Sequence, residues 1–129
     1  QEMLRVLNTH FDHQLPEARR LSAALLLERL AGERVILMGD LNGTEDEAAI
    51  QLLNSALTNC YRQVHQGPAP PTYHGYGALD ACHIDYIYVD SSFEVAGCTV
   101  HQEPGPDFAS DHFAVEADLR LPPIILPLN

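Results

Sequence analysis

Four apolar residues in succession, Val35-Ile36-Leu37-Met38, stand between Arg34 and a Gly39-Asp40 pair in "RVILMGD". Successive side chains on a strand point to opposite faces, so such a run suits a strand covered on both sides. A chain that holds it must build layers around a sheet. The segments on either side fit that requirement. Met3 to Thr9 reads as a strand, and "LPEARRLSAALLLERLAGE" as a helix with Pro16 near its first turn and Gly32 at its stop. Ala18, Leu21, Leu25 and neighbouring leucines supply an apolar stripe, leaving Glu17, Arg20 and Glu28 to water. Thr44 and Glu47 have the spacing of a capping box, which predicts a second helix from Glu45 to about Leu53. Strand, helix, strand, helix is an α/β order.

The second half changes character. "QGPAPPTYHGYGALDAC" is a Gly- and Pro-rich loop, longer than most connections that serve no site. "HIDYIYV", "FEVAGCTV" and "HFAVEADL" follow as three strands without an intervening helix, so some of them should pair as antiparallel neighbours. In the last, Phe113, Val115, Ala117 and Leu119 alternate with Ala114, Glu116, Asp118 and Arg120, the period of a half-buried strand. "LPPIILPLN" holds three prolines and reads as an extended tail. These divisions give one domain over residues 1–121 and a tail over 122–129. Gln1 leads almost directly into the apolar run from Met3, as though the chain started within a sheet.

Composition narrows the function. The 129 residues are 46% hydrophobic, enough for a core, yet the net charge is -11 and all seven basic residues are Arg. No basic stripe is present to track a nucleic-acid duplex, so a small or lipid-derived substrate is favoured over long DNA. Cys60, Cys82 and Cys98 are widely spaced, which suggests reduced thiols in a cytoplasmic protein rather than a disulfide framework or a zinc knuckle. No run reaches the roughly 18 apolar residues of a transmembrane helix.

Polar groups gather at strand ends: Asn8-Thr9-His10, Gly39-Asp40-Leu41-Asn42, Asp85 in "HIDYIYV", and Ser110-Asp111-His112. Each has a plain structural explanation. His10 could be a hydrogen-bonded edge residue, Asp40 and Asn42 could form an Asx turn, and Asp111-His112 could cap a turn. Asp85 shares the parity of Ile87 and Val89, and an inward carboxylate requires a cation or donors.

"NTHFDH", "ILMGDLNG", "HIDYIYV" and "SDHFAV", in this order, resemble the C-terminal half of the endonuclease/exonuclease/phosphatase (deoxyribonuclease I-like) superfamily, over roughly Leu4 to Leu121. Each motif alone is common; the ordered set is specific. "PTYHGYG" ahead of "HIDYIYV" is similar to a Thr-aromatic-His-Gly loop of small bacterial members. The resemblance implies an α/β fold: one half of a four-layer α/β/β/α sandwich, with a mixed sheet and helices on one face. It also implies Mg²⁺-dependent phosphoester hydrolysis, with Mn²⁺ as a substitute. His112 would act at the phosphate as general base or transition-state hydrogen-bond partner, with Asp85 holding its other ring nitrogen. Asp111 would bind the metal, Asp40 would orient water or touch a second metal, Asn42 would donate to a phosphate oxygen, and His10 would reach another oxygen. Tyr73 and His74 would contact substrate or merely pin their loop.

The resemblance also implies a missing first half, which brings an Asn and the chief metal-binding Glu; Glu2 is no substitute. A half-sandwich exposes an apolar sheet face, so a homodimer or a complementary N-terminal half is expected. Activity would then be incomplete in this chain, and a non-catalytic truncated homologue or assembly half is the competing reading. A third reading takes His10, Asp12 and His13, with Asn8 in place of a first His, as a metallo-β-lactamase-like zinc motif. Its downstream ligands are not found. The plain reading of Asp12 and His13 is that they help start the helix at Pro16.

Overall fold

The computed structural model describes residues 3–102 and 108–121; the tail expected over 122–129 lies outside the described residues, as does Glu2. The elements run β1 (Leu4–His10), α1 (Pro16–Leu30), β2 (Arg34–Asp40), α2 (Ala48–Ala56), β3 (Thr58–Asn59), α3 (Cys60–Val64), β4 (Asp85–Val89), β5 (Glu94–His101) and β6 (Ala114–Arg120). One sheet has the order β1-β2-β4-β3, and β5 and β6 form a separate antiparallel pair. β1 and β2 are parallel, as a helical crossover requires, while β4 runs antiparallel to both β2 and β3. The fold is therefore mixed α/β with a mixed sheet.

Strand parity divides "RVILMGD" between two layers. Val35 and Leu37 are buried, and Leu37 joins Phe11, Ala23, Leu41, Ile50, Leu53, Tyr86 and Tyr88 in a core between the sheet and helices α1 and α2. Ile36 points the other way, toward Ile87, Val89, Val95, Val115, Ala117 and Leu119, where the β5–β6 pair packs across the sheet. Fully burying a side chain such as Leu37 or Leu53 contributes about 2 kcal/mol. The described residues thus make three layers: helices, four-stranded sheet and two-stranded sheet. The second sheet does not cover β1, on which Leu4 and Val6 remain exposed. Cys60 and Cys98 are buried in the second core as free thiols, and Cys82 is also free. Burial pushes the Cys60 thiol up to about 12 and that of Cys98 up to about 11, so neither is a ready nucleophile. Among the described residues no helix is long and apolar enough to cross a membrane.

Two expectations need correction. The neighbouring leucines of the expected α1 stripe do face inward, but Leu21 and Leu25 are exposed, and the inward face is Arg19, Ala23, Leu26, Leu27 and Leu30. Leucines occupy more than one face of this helix, so their pattern leaves its rotation open. Contacts decide it: Ala23, fully buried, lets the helix sit close, and Arg19 reaches Glu47 Oε2 from Nε (2.9 Å) and Nη2 (2.8 Å) and the Asp12 carbonyl from Nη1 (3.1 Å). The same pair explains the second difference. α2 begins at Ala48 rather than Glu45, and no side chain caps it. The Glu47 carboxylate serves Arg19, and the Thr44 hydroxyl donates to Asp46 instead, so the expected capping box does not form.

Candidate active site

Register brings three of the polar clusters into one row. Parallel pairing sets His10 beside Asp40, and antiparallel pairing sets Asp40 beside Asp85. All three share the parity of the face turned toward the β5–β6 pair. His112, in the segment leading into β6, joins the row from above: its Nδ1 lies 2.8 Å from Asp85 Oδ2 and its Nε2 lies 3.7 Å from Asp40 Oδ2. His10 Nε2 approaches the same Asp40 oxygen at 3.5 Å. Asp40 Oδ2 therefore stands between two imidazoles, of which His10 is exposed and His112 is largely covered.

Local structure holds the two carboxylates. Asp40 Oδ1 accepts the Asn42 N–H (2.9 Å), the Asx turn that the sequence allows, and Asn42 takes a left-handed φ of 49° within it. The Asn42 amide donates to the Phe11 carbonyl (2.8 Å), which ties the end of β2 to the end of β1. Tyr86, next to Asp85, sends its buried hydroxyl to the Gly43 carbonyl (2.8 Å).

The electrostatics follow from this crowding. Burial raises the Asp40 pKa, with the Asp85 charge adding to it, against the opposing pull of the Asn42 N–H and the His112 charge. Burial alone would lower the His112 pKa, but the hydrogen bond and charge of Asp85, backed by Asp40 and Asp111, hold it above the ordinary imidazole value. Asp85 on Nδ1 also turns Nε2 toward Asp40, where it can exchange a proton with a third group.

Asp40, Asp85 and His112 are, among the described residues, the one group of three or more acids, imidazoles or thiols whose ligand atoms all lie within 4.8 Å of one another. Asp111 is outside that group. Its carbonyl accepts the His74 and Gly75 N–H groups (2.9 and 3.2 Å), while its charge acts on His112 and Tyr73. The turn at this point belongs to Ser110, whose hydroxyl accepts the His112 N–H. Tyr73 lies beside the site, its ring centroid 5.2 Å from that of His112. His74 is buried with its ring 4.3 Å from both Phe108 and Phe113, an arrangement that anchors the loop. Asp12 accepts the Gln14 and Leu15 N–H groups ahead of α1, and these bonds lower its pKa; with His13 it stands outside the acid and imidazole group.

Thr72, the Thr of the Thr-aromatic-His-Gly loop, had no role assigned from the sequence. It is fully buried, and its hydroxyl oxygen accepts the N–H groups of both Ile84 and Asp85 at 3.0 Å. The Gly/Pro-rich setting hides that role, because a Thr in such a loop carries no periodic signal to show which distant amides it meets.

The pattern of the Endonuclease/Exonuclease/phosphatase family matches residues 4–112. None of the curated proteins compared with the chain matches it. Among solved structures, an endonuclease/exonuclease/phosphatase from Bacteroides vulgatus is 30% identical with a TM-score of 0.77, over 88% of this chain and 48% of that one. A functionally unknown conserved protein from Enterococcus faecalis V583 is 28% identical with a TM-score of 0.75, over 90% and 50%. A mannosyl-6-phosphatase of Bacteroides thetaiotaomicron VPI-5482 is 25% identical with a TM-score of 0.71, over 88% and 50%. The chain spans about half the length of these relatives. By the extent of that match and the shared mixed sheet with its helices, the chain belongs to the endonuclease/exonuclease/phosphatase family.

Proposed function

We propose that this chain carries the C-terminal part of a metal-dependent phosphoester hydrolase site and hydrolyses small or lipid-derived phosphoesters once the remaining part is supplied. The observation that carries the proposal is the Asp85–His112 pair at 2.8 Å with Asp40 facing both His112 and His10. In-line displacement at phosphorus needs a placed water and neutralisation of spreading negative charge. His112 Nε2 takes the proton of the attacking water or donates to the phosphoryl oxygen, while Asp85 stabilises the imidazolium. Asp40 orients that water. His10 and Asn42 meet other phosphoryl or leaving-group oxygens, and Tyr73 borders the substrate on the loop that His74 anchors. The water oxygen forms the new bond to phosphorus as the ester P–O bond breaks.

Two carboxylates side by side repel a phosphate of the same sign, so a cation is expected here. The donor set suits Mg²⁺, which takes hard oxygens, is commonly held through one or two carboxylates and keeps several waters. We assign Asp111 and Asp40 as its ligands from this chain, with Mn²⁺ as a substitute. When bound, the ion supplies charge neutralisation at the phosphate. A mannosyl-6-phosphatase among the relatives and the absence of a basic stripe both support a small substrate over duplex DNA. Three free thiols suit a cytoplasmic setting.

The exposed Leu4 and Val6 on β1 favour a covering partner, either a second copy of this chain or a complementary N-terminal half. Sedimentation of a well-folded monomer would exclude the first. The catalytic proposal is tested by hydrolysis of bis-p-nitrophenyl phosphate and p-nitrophenyl phosphate, with and without Mg²⁺, by the wild type and His112→Ala, each combined with a complementary N-terminal half. Metal-dependent turnover lost in the variant is the expected result. Turnover unchanged by the substitution refutes the assignment, and no turnover from the folded, combined halves favours the non-catalytic assembly half.

A further inference from the structure

The Asp85–His112 pair joins segments 27 residues apart that belong to different sheets. No strand ladder among the described residues sets their spacing. We infer that Thr72 is a positioning residue whose hydroxyl oxygen and carbonyl oxygen fix the two segments so that the carboxylate meets the imidazole. This rests on the reading of Asp85 and His112 as the working pair.

The geometry on the Asp85 side is specific. β4 pairs with β3 only at Tyr88 and Val89, which leaves the start of β4 without a strand on that flank. Thr72 Oγ1 fills the vacancy by accepting both the Ile84 and the Asp85 N–H. Two successive amides of a regular strand point to opposite sides and cannot share one acceptor. The chain must therefore bend at Ile84–Asp85, and one buried oxygen stabilises the bend. On the His112 side, the Thr72 carbonyl accepts the Phe113 N–H at 2.6 Å, and Tyr73 bridges His112. His74 and Gly75 then hold the Asp111 carbonyl. Residues 72–75 thus brace residues 111–113, and the Thr72 side chain links that brace to Asp85.

Valine has the shape of threonine without the acceptor, whereas serine keeps the acceptor without the methyl. The test compares Thr72→Val and Thr72→Ser with the wild type by amide hydrogen exchange and by the His112 ring N–H resonance. In Thr72→Val, exchange at Ile84 and Asp85 should rise by about tenfold or more relative to Val89, because two buried donors lose their partner. The ring N–H signal should weaken with it, and Thr72→Ser should retain both at wild-type levels. A folded Thr72→Val protein with wild-type protection and ring signal overturns the inference. Should the valine variant not fold, the serine variant decides: loss of protection or of the ring signal there assigns the effect to methyl packing and also overturns it. Neither readout requires turnover, so the inference and the hydrolase reading can fail separately.

Discussion

Gly39 precedes Asp40 at a point where β1 and β2 touch, and replacing it with alanine should be among the most damaging single changes to this chain. Its φ is +144°, and a Cβ built there would lie 1.8 Å from the Thr9 carbonyl oxygen, a backbone atom. Real Cβ contacts essentially never fall under 3.0 Å, so the strands must part by about 1.2 Å (3.0 less 1.8) at a pair normally about 4.8 Å apart. Forcing a side chain into this backbone region costs about 2 kcal/mol. Two disrupted ladder hydrogen bonds add about 1 kcal/mol each, for a loss of about 4 kcal/mol. That is a large share of the roughly 5–15 kcal/mol that stabilises a typical domain. Gly32→Ala is the control, because Gly32 also has a positive φ (+76°) but nothing lies within 4 Å of its Cβ position. It should cost only about 1 kcal/mol. The chain has no Trp, so urea unfolding followed by far-ultraviolet circular dichroism is the suitable assay. Equal midpoints for the two variants would refute the argument that close strand approach, rather than the left-handed backbone alone, requires Gly39.

Asp40→Asn should raise the urea midpoint at neutral pH, since the Asp40 pKa is elevated in the folded protein and its ionised form is penalised there. The gain should fade as pH falls through the folded Asp40 pKa and be gone below the ordinary value of 3.8, while any hydrolysis drops about 100-fold or more; a lower midpoint at neutral pH would contradict the burial argument. Asp85→Asn should lower the His112 pKa, read by NMR titration of the ring, because burial then acts with less opposition. In the wild type the raised His112 pKa contributes stability that is full below the ordinary value of 6.5 and fades as pH rises through the folded value; the variant should lose most of that dependence. Arg19→Met should destabilise the chain by about 2 kcal/mol by leaving Glu47 without its partner, and adding Glu47→Gln should recover part of the loss; an unchanged midpoint in the single variant would show the pair to be inert.

Features that depend on near neighbours are legible along the chain. Pro16 and Gly32 bound α1 because ring geometry and a positive φ act at single positions. "RVILMGD" and "HIDYIYV" are strands because parity and side-chain shape act within a few residues, and the same parity marked Asp85 as an inward carboxylate. The polar clusters could be singled out along the chain for the same reason. Their assembly could not. Strand register put His10, Asp40 and Asp85 in one row, and only the docking of the β6 segment brought His112 to within 2.8 Å of Asp85. Tertiary contacts also chose the rotation of α1, took Glu47 away from its cap, separated the β5–β6 pair from the main sheet, and gave Thr72 its two amides. Each of these is settled by partners far apart in sequence. The energy of such a contact exists only once the layers are packed, so local spacing carries no record of it.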